Sequence, residues 1–449
     1  MKLKQIALAV GVAVAAPAAF AAYPVDISAG VPASNIIYIS GASAQTATLG
    51  GVVAAQCNVA PTTYKDDKGG KDMIIYSCSN AKATSGYAAG SKFIVVKRDT
   101  NGSYDGVGPV INLTNLDWAD ITKCDDTAKT CAVTGGSHAG ASVTRAPHAG
   151  LSDVEINVWK GRGQFNASTS AYTETTGFAG QAFGVVVTEA LYTAMQAYQK
   201  TTGELPASCV AGDFTTGSCQ PNISKAQYVS IVSQSGGYHT DWSPIVGAAG
   251  AGKAVNLCRR VSTSGTQASS DLFFLNSPCG ATAINAGALA VATAADGDGV
   301  NFIVSEGSGT GNVKTCLTTA NAAGNFAIGV VSMENVAAAG WKFVKLNGVS
   351  PNFKADGTAD AKQRQNAVDG KYEFTFEPTT VWRNDLDAAH KTFMNQVIAY
   401  LSDPTLTNLT GFYQLPGTFD NATYPSQVAK GVRSANGGAN SCQALQLFF

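Results

Sequence analysis

Arg260-Val261-Ser262-Thr263-Ser264-Gly265-Thr266-Gln267 follows the strand-like run Val255-Asn256-Leu257-Cys258 and opens a helical pattern through Ala268 to Phe273. Arginine offers a planar fork for two oxyanion oxygens. Ser264 and Thr266 add hydroxyls, and Gly265 lets a ligand reach the backbone. The first turn of a helix presents unpaired N–H groups and a favourable dipole. A strand running through such a loop into a helix is the local unit of an α/β fold, whose ligands sit beyond the carboxyl ends of the strands.

Working outward, the same unit recurs. Asn35 to Ile39 runs into Ser40-Gly41-Ala42-Ser43-Ala44-Gln45, Phe93 to Lys97 into Asn101-Gly102-Ser103, and Phe183 to Val187 into the helical pattern Glu189 to Gln196. Phe326 to Val331 is a further buried-strand candidate, and Asp385 to Leu401 reads as a last long helix. Strands alternating with helices predict an α/β architecture. Ala42, Ser43 and Ala44 are small enough for an anion to approach the backbone; the plain alternative is a turn capped by Ser43. Gly102 permits a positive φ that leaves Ser103 as a donor; the plain alternative is a hairpin turn. In Ala149-Gly150-Leu151-Ser152-Asp153, the Ser-Asp pair either caps a helix or makes Asp153 an acceptor for a protonated ligand oxygen. Hydrogen phosphate carries such a proton and sulfate does not, so an ionised Asp153 would select phosphate by leaving sulfate facing an unpaired acceptor.

These four loops, in this order, resemble those of the phosphate-binding proteins of bacterial ABC importers. That family has a Gly-Ala-(Ser/Gly)-Ala loop, a Gly-Ser turn, a Gly-Ala-Ser-Asp loop and an Arg-x-x-x-Ser-Gly-Thr loop. Ser224 to Gln227 with Trp242, Ala327 to Ser332, Lys345 to Pro351 and Gly370 to Tyr372 resemble further family segments. The resemblance implies an α/β, two-lobed type 2 periplasmic binding protein fold with mixed sheets and a hinge. One lobe would hold 23–187 and 346–449 with the C-terminal helix, the other 188–345. It implies a ligand site of Ala42, Ser43, Ala44, Ser103, Asp153, Arg260, Ser264, Gly265 and Thr266, a phosphate-like oxyanion as ligand, an ABC permease as partner and no cofactor. Leu151 stands where the family prefers a small residue, Glu155 stands where it has Pro, and the many cysteines are foreign to it. Glu155 would repel a dianion unless it points away.

Bulk properties narrow the alternatives. In 449 residues the net charge is −1 and only 14% of residues are charged, which argues against a basic nucleic-acid surface. Lys2 and Lys4, an apolar run from Ile6 to Ala16 and Ala19-Phe20-Ala21 read as a signal peptide over 1–21, implying a periplasmic or extracellular protein without membrane insertion after cleavage. Ten cysteines in an exported chain predict disulfides. Close sequential spacing suggests 57–78, 124–131, 209–219 and 258–279, with 316 and 442 left over. The stretches 60–90, 100–145, 200–222 and 279–322 read as loop-rich insertions. Glu306 to Gly311 lacks the Lys-Ser/Thr ending of a P-loop and reads as a flexible surface loop. Asp296 to Asn301 departs from the EF-hand pattern, and four scattered histidines without a C-x-x-C make a zinc site a weak reading. No G-x-S-x-G elbow or H-E-x-x-H helix is present, so an enzyme is not expected. The alternatives are a surface structural protein reusing the scaffold and a secreted phosphoesterase.

Overall fold

The computed structural model describes residues 24–69, 72–137, 141–164, 171–232, 241–279, 302–433 and 440–447. The expected signal peptide and the Asp296 to Asn301 run lie outside the described residues.

Two mixed sheets organise the chain. The first has nine strands: β1 (Ile36–Gly41), β2 (Thr62–Asp66), β3 (Met73–Cys78), β4 (Phe93–Arg98), β6 (Asp120–Asp125), β7 (Thr130–Ala132), β9 (Ala149–Ser152), β10 (Tyr172–Thr175) and β19 (Thr379–Arg383), in the order β10-β19-β9-β1-β4-β3-β2-β7-β6. The second contains β11 (Ala179–Thr188), β13 (Val255–Arg260), β14 (Phe302–Gly307), β15 (Ala327–Ser332) and β16 (Trp341–Phe343), ordered β14-β13-β15-β11-β16, with β18 (Thr375–Phe376) and β20 (Phe412–Gln414) also on β11. Three two-stranded pairs complete it: β5 (Leu116–Trp118) with β8 (Val143–Arg145), β12 (Asn222–Ile223) with β17 (Lys345–Leu346), and β21 (Gly431–Val432) with β22 (Gln446–Leu447). The expected mixed α/β class is what the chain adopts.

Parallel pairing decides where the loops go. β1 runs parallel to both β4 and β9, so the chain after Gly41, Arg98 and Ser152 emerges at one edge of the first sheet. β13 runs parallel to both β14 and β15, which does the same for the chain after Arg260, Gly307 and Ser332. Strands β1, β4 and β11 are almost wholly buried, matching their near-continuous apolar runs.

The helices are α1 (Thr46–Ala55), α2 (Gly108–Asn112), α3 (Ile156–Gly161), α4 (Glu189–Thr201), α5 (Lys225–Val232), α6 (Ser243–Val246), α7 (Gly265–Leu275), α8 (Thr310–Ala322), α9 (Gln365–Val368) and α10 (Ala388–Ser402). Helix α10 starts three residues later than expected because the Asp387 side chain caps it, accepting from His390 N at 2.9 Å. His390, Phe393, Met394, Val397 and Leu401 form its buried stripe, whose Phe393, Met394, Val397 and Leu401 share one apolar core with α1 and β1. A second core joins β11, β13, β15, α4 and α7 to Val107, to Val110 and Ile111 of α2 and to Ile156, Val158 and Trp159 of α3. The chain passes between the two sheets three times, after β10, after β18 and between α10 and β20.

Two expectations are corrected. The described parts of 60–90, 100–145 and 279–322 are not mere insertions: β2, β3, β6 and β7 extend the first sheet, and β14 with α8 belongs to the second. The polar alternation of Thr62–Asp66 hides a strand that is buried on one face only. All ten cysteines are paired, and 57–78, 124–131 and 209–219 are as expected. The others are Cys258–Cys316 and Cys279–Cys442, not 258–279. Helix α8 packs over β13 and brings Cys316 onto Cys258. Cys279, four residues beyond α7, meets the C-terminal segment instead.

Candidate functional site

Three glycines let the loops of the first sheet converge. A Cβ on Gly41 (φ 109°) would collide with Leu151 O and the Gly106 backbone, and one on Gly150 would collide with Gly106 O. Ala42 N donates to Leu151 O at 2.8 Å, which fixes the first loop against the third. Ser43 does not cap a helix; it opens a 3-10 turn, Ser43–Gln45, before α1, with Ala42 and Ala44 buried. Ser103 is not in a hairpin: Asn101 (φ 56°) and Gly102 (φ 72°) turn the chain into a 3-10 segment, Gly102–Gly106. Asp153 does not cap a helix either, since Glu155 is the N-cap residue of α3.

The fourth loop meets these three directly. Tyr104 N donates to Thr263 O at 3.0 Å. A Cβ on Gly265 would collide with Ser103 Oγ and Asp153 Oδ2, so only glycine allows this approach. Ser103 Oγ accepts from Asp153 N at 3.2 Å. Ser264 is the N-cap residue of α7, so the N–H groups of Gly265 and Thr266 belong to a first turn without intrahelical acceptors. The nine expected residues therefore come from loops of both sheets, and Ser103, Asp153 and Gly265 are brought into contact.

Arg260 is 2% exposed, and its fork is turned partly away from its own loop. Nη1 donates to Thr310 Oγ1 at 2.9 Å and Nη2 to Ser308 O at 2.7 Å, both at the start of α8. Its Nε has no partner. Asp153 is also 2% exposed, and its Oδ1 has no partner. Burial raises the Asp153 carboxyl to about 6, against the opposing pull of Arg260 and hydrogen bonding from Ser103 and Gln45.

Residues outside the expected set complete the surroundings. Glu334 follows β15; its Oε1 accepts from Ser332 Oγ at 2.7 Å and Asn335 Nδ2 at 2.9 Å, while Oε2 is buried without a partner. Burial raises it to about 7; the Ser332 bond opposes this, the Asp153 charge adds to it and Lys314 opposes it. Gln45 donates to Ser152 O at 3.0 Å. Lys97 is fully buried and donates to Gly41 O at 2.9 Å while pairing with Asp99. A lysine directly after the apolar run Phe93 to Val96 of a buried strand was the available signal, because a buried charge needs partners. Glu155 points away, accepting from Ser441 N at 2.9 Å and from Ser441 Oγ.

The Glu306 to Gly311 stretch is also corrected. It is an ordered strand–turn–helix connection: β14 ends at Gly307, and Gly309 is the N-cap residue of the 13-residue α8. Its residues line a cavity of about 560 Å³ together with Ser43 and Asp99 of the first-sheet loops. Among the described residues no helix is long and apolar enough to cross a membrane, and no group of His, Cys, Asp and Glu is placed to hold a metal.

The fold and loops define an α/β protein whose two mixed sheets present their strand-end loops to one another. Two solved structures are similar to it. One is from Clostridium perfringens, described as a phosphate ABC transporter substrate-binding protein with bound phosphate; it is 13% identical, with a TM-score of 0.42 over 82% of this chain and 94% of that one. The other is described as an ABC-type phosphate transport receptor from Vibrio cholerae; it is 14% identical, with a TM-score of 0.37 over 82% of this chain and 96% of that one. No protein-family model and no curated protein matches the sequence.

Proposed function

We propose that this chain is an exported solute-binding protein that holds phosphate or a similar oxyanion between the loops of its two sheets, for ABC-type uptake. One lobe would be 23–187 with 346–449, the other 188–345. The observation that carries the reading is a pair of complementary orphans. Asp153 Oδ1, an acceptor, and Arg260 Nε, a donor, are both buried, unpartnered and close enough to interact electrostatically. A buried polar atom without a partner is costly, and two of opposite character whose charges interact suit a ligand that satisfies both. An oxyanion with one proton does so: its O–H donates to Asp153 and another oxygen accepts from Arg260. The N–H groups of Gly265 and Thr266 would serve the remaining oxygens. Ala42, Ser43, Ala44, Ser103 and Ser264 would line the same space.

Calorimetry with inorganic phosphate, arsenate and sulfate tests this. Phosphate and arsenate should bind and sulfate should bind far more weakly at pH 7.5. Absence of heat with every oxyanion would remove the reading. It would favour a structural protein that reuses the scaffold, for which direct ties between the two halves speak: Arg162 pairs with Asp271 at 2.8 Å and donates to Ser262 O at 3.2 Å.

A further inference from the structure

We propose that the cleft takes a hydroxylated phosphate monoester, a sugar or polyol phosphate, whose organic part occupies the cavity at the start of α8. This rests on the oxyanion reading and extends it. The cavity, about 560 Å³, is within the range of about 300–1,000 Å³ typical of small-molecule pockets and far larger than one phosphoryl group needs. It is contiguous with the phosphoryl site in two ways. Ser43 belongs to both, and Thr310, which lines the cavity, accepts from the Arg260 guanidinium.

The lining chemistry names the organic part. Thr310, Thr315 and Thr318 line it along one helix, beside Lys314, which donates to Asn335 Oδ1 at 3.0 Å, and Asp99, whose carboxylate pairs with Lys97 and accepts from Thr46 Oγ1 at 2.8 Å. No aromatic or large aliphatic side chain is among the described residues that line it. Such a wall suits neither a nucleobase nor an acyl chain, which need stacking or apolar contact. It suits a ligand with several hydroxyls, which can exchange hydrogen bonds with the threonines and accept from the remaining N–H groups of Lys314. Helix α8 buries Val313 and Leu317 on its other face; on the cavity side Thr315 and Thr318 are exposed, with Thr318 donating to Lys314 O at 2.8 Å.

Gly311 provides the test. A Cβ there meets nothing within 4 Å, so a larger side chain enters the cavity without displacing the chain. Calorimetry would compare inorganic phosphate, glucose 6-phosphate and glucose on the wild type and on Gly311→Leu. The ester should bind at least about tenfold more tightly than phosphate to the wild type, and glucose alone should give no heat. Gly311→Leu should bring the ester down to the level of phosphate while phosphate binding stays unchanged. Thr315→Leu is a second plug if Gly311→Leu does not fold. Phosphate binding with no advantage for the ester overturns this inference alone, as does an advantage that survives both plugs. No binding by either phosphate or ester overturns the oxyanion reading with it.

Discussion

The loops before α7 and α8 leave adjacent parallel strands, are rich in glycine and hydroxyls, and each ends at a helix N-terminus. Their surroundings differ. Helix α7 is buried along almost its whole length and its Gly265 touches the opposing loops. Helix α8 buries Val313 and Leu317 and turns its threonines to a cavity. One loop makes close, specific contact; the other leaves room. On the proposed reading, the close-contact loop grips the charged group and the space beside the α8 loop sets how large the rest of the ligand is.

Each helix is also stapled, α8 to β13 by Cys258–Cys316 and the far end of α7 to the C-terminal segment by Cys279–Cys442. These staples offer the largest way to break the comparison. The spans are 163 residues for Cys279–Cys442 and 58 for Cys258–Cys316. On a chain-entropy basis, replacing both cysteines by serine should cost about 5 kcal/mol for the first pair and about 4 for the second. Urea unfolding of the two double variants measures this. Equal costs, or a larger one for Cys258–Cys316, would mean that α7 is not the more firmly held helix.

Next in size is Arg260→Ala. Arg260 ties the two loops together, lending Nη1 and Nη2 to the start of α8 and leaving Nε unpartnered. Its loss removes a charge-assisted donor and leaves Asp153 without its cation, so phosphate affinity should fall by about a hundredfold or more. Calorimetry that finds wild-type affinity in Arg260→Ala would put the oxyanion elsewhere, and the two loops would not share a ligand.

The same contrast explains what could be read from the chain. The loop at Arg260 to Thr266 was legible because its residue types state their chemistry locally, between an apolar run and a helical pattern. The loops around Ser43, Ser103 and Asp153 were legible for the same reason, although the turn types at Ser43 and Ser103 were not. Ser308 to Gly311 has no such marker; its place at the cleft follows from β14 pairing with β13, a non-local fact. Cysteine pairing divides likewise. Cys124 and Cys131 face one another across a hairpin, so nearest neighbours in sequence are neighbours in space. Cys258 and Cys316 meet only because α8 lies over β13. Glu334 carried no sequence signal, since a carboxylate after a strand is ordinary until its burial is known.

The smallest effect separates the gripping loop from the roomy one through a proton. Burial holds Asp153 near 6, above the ordinary carboxylate value of 3.8. An acid whose folded value is raised stabilises the fold most below the unfolded value, and that stabilisation is lost as pH rises through the folded one. The unliganded protein should therefore lose melting temperature between about pH 4 and 6, with Glu334 extending the decline toward 7. Above 6 the ionised Asp153 accepts from a protonated phosphate oxygen and opposes sulfate; below 6 it carries a proton and donates to sulfate instead. Sulfate affinity should rise by about tenfold from pH 7.5 to pH 5, and Asp153→Asn, which can donate at every pH, should flatten that profile. Glu334→Gln separates the two carboxyl groups, because it should leave the turn near pH 6 in place. A sulfate profile that is flat in the wild type, or unchanged in Asp153→Asn, would show that Asp153 does not face the ligand and that selectivity is set on the α8 side of the cleft.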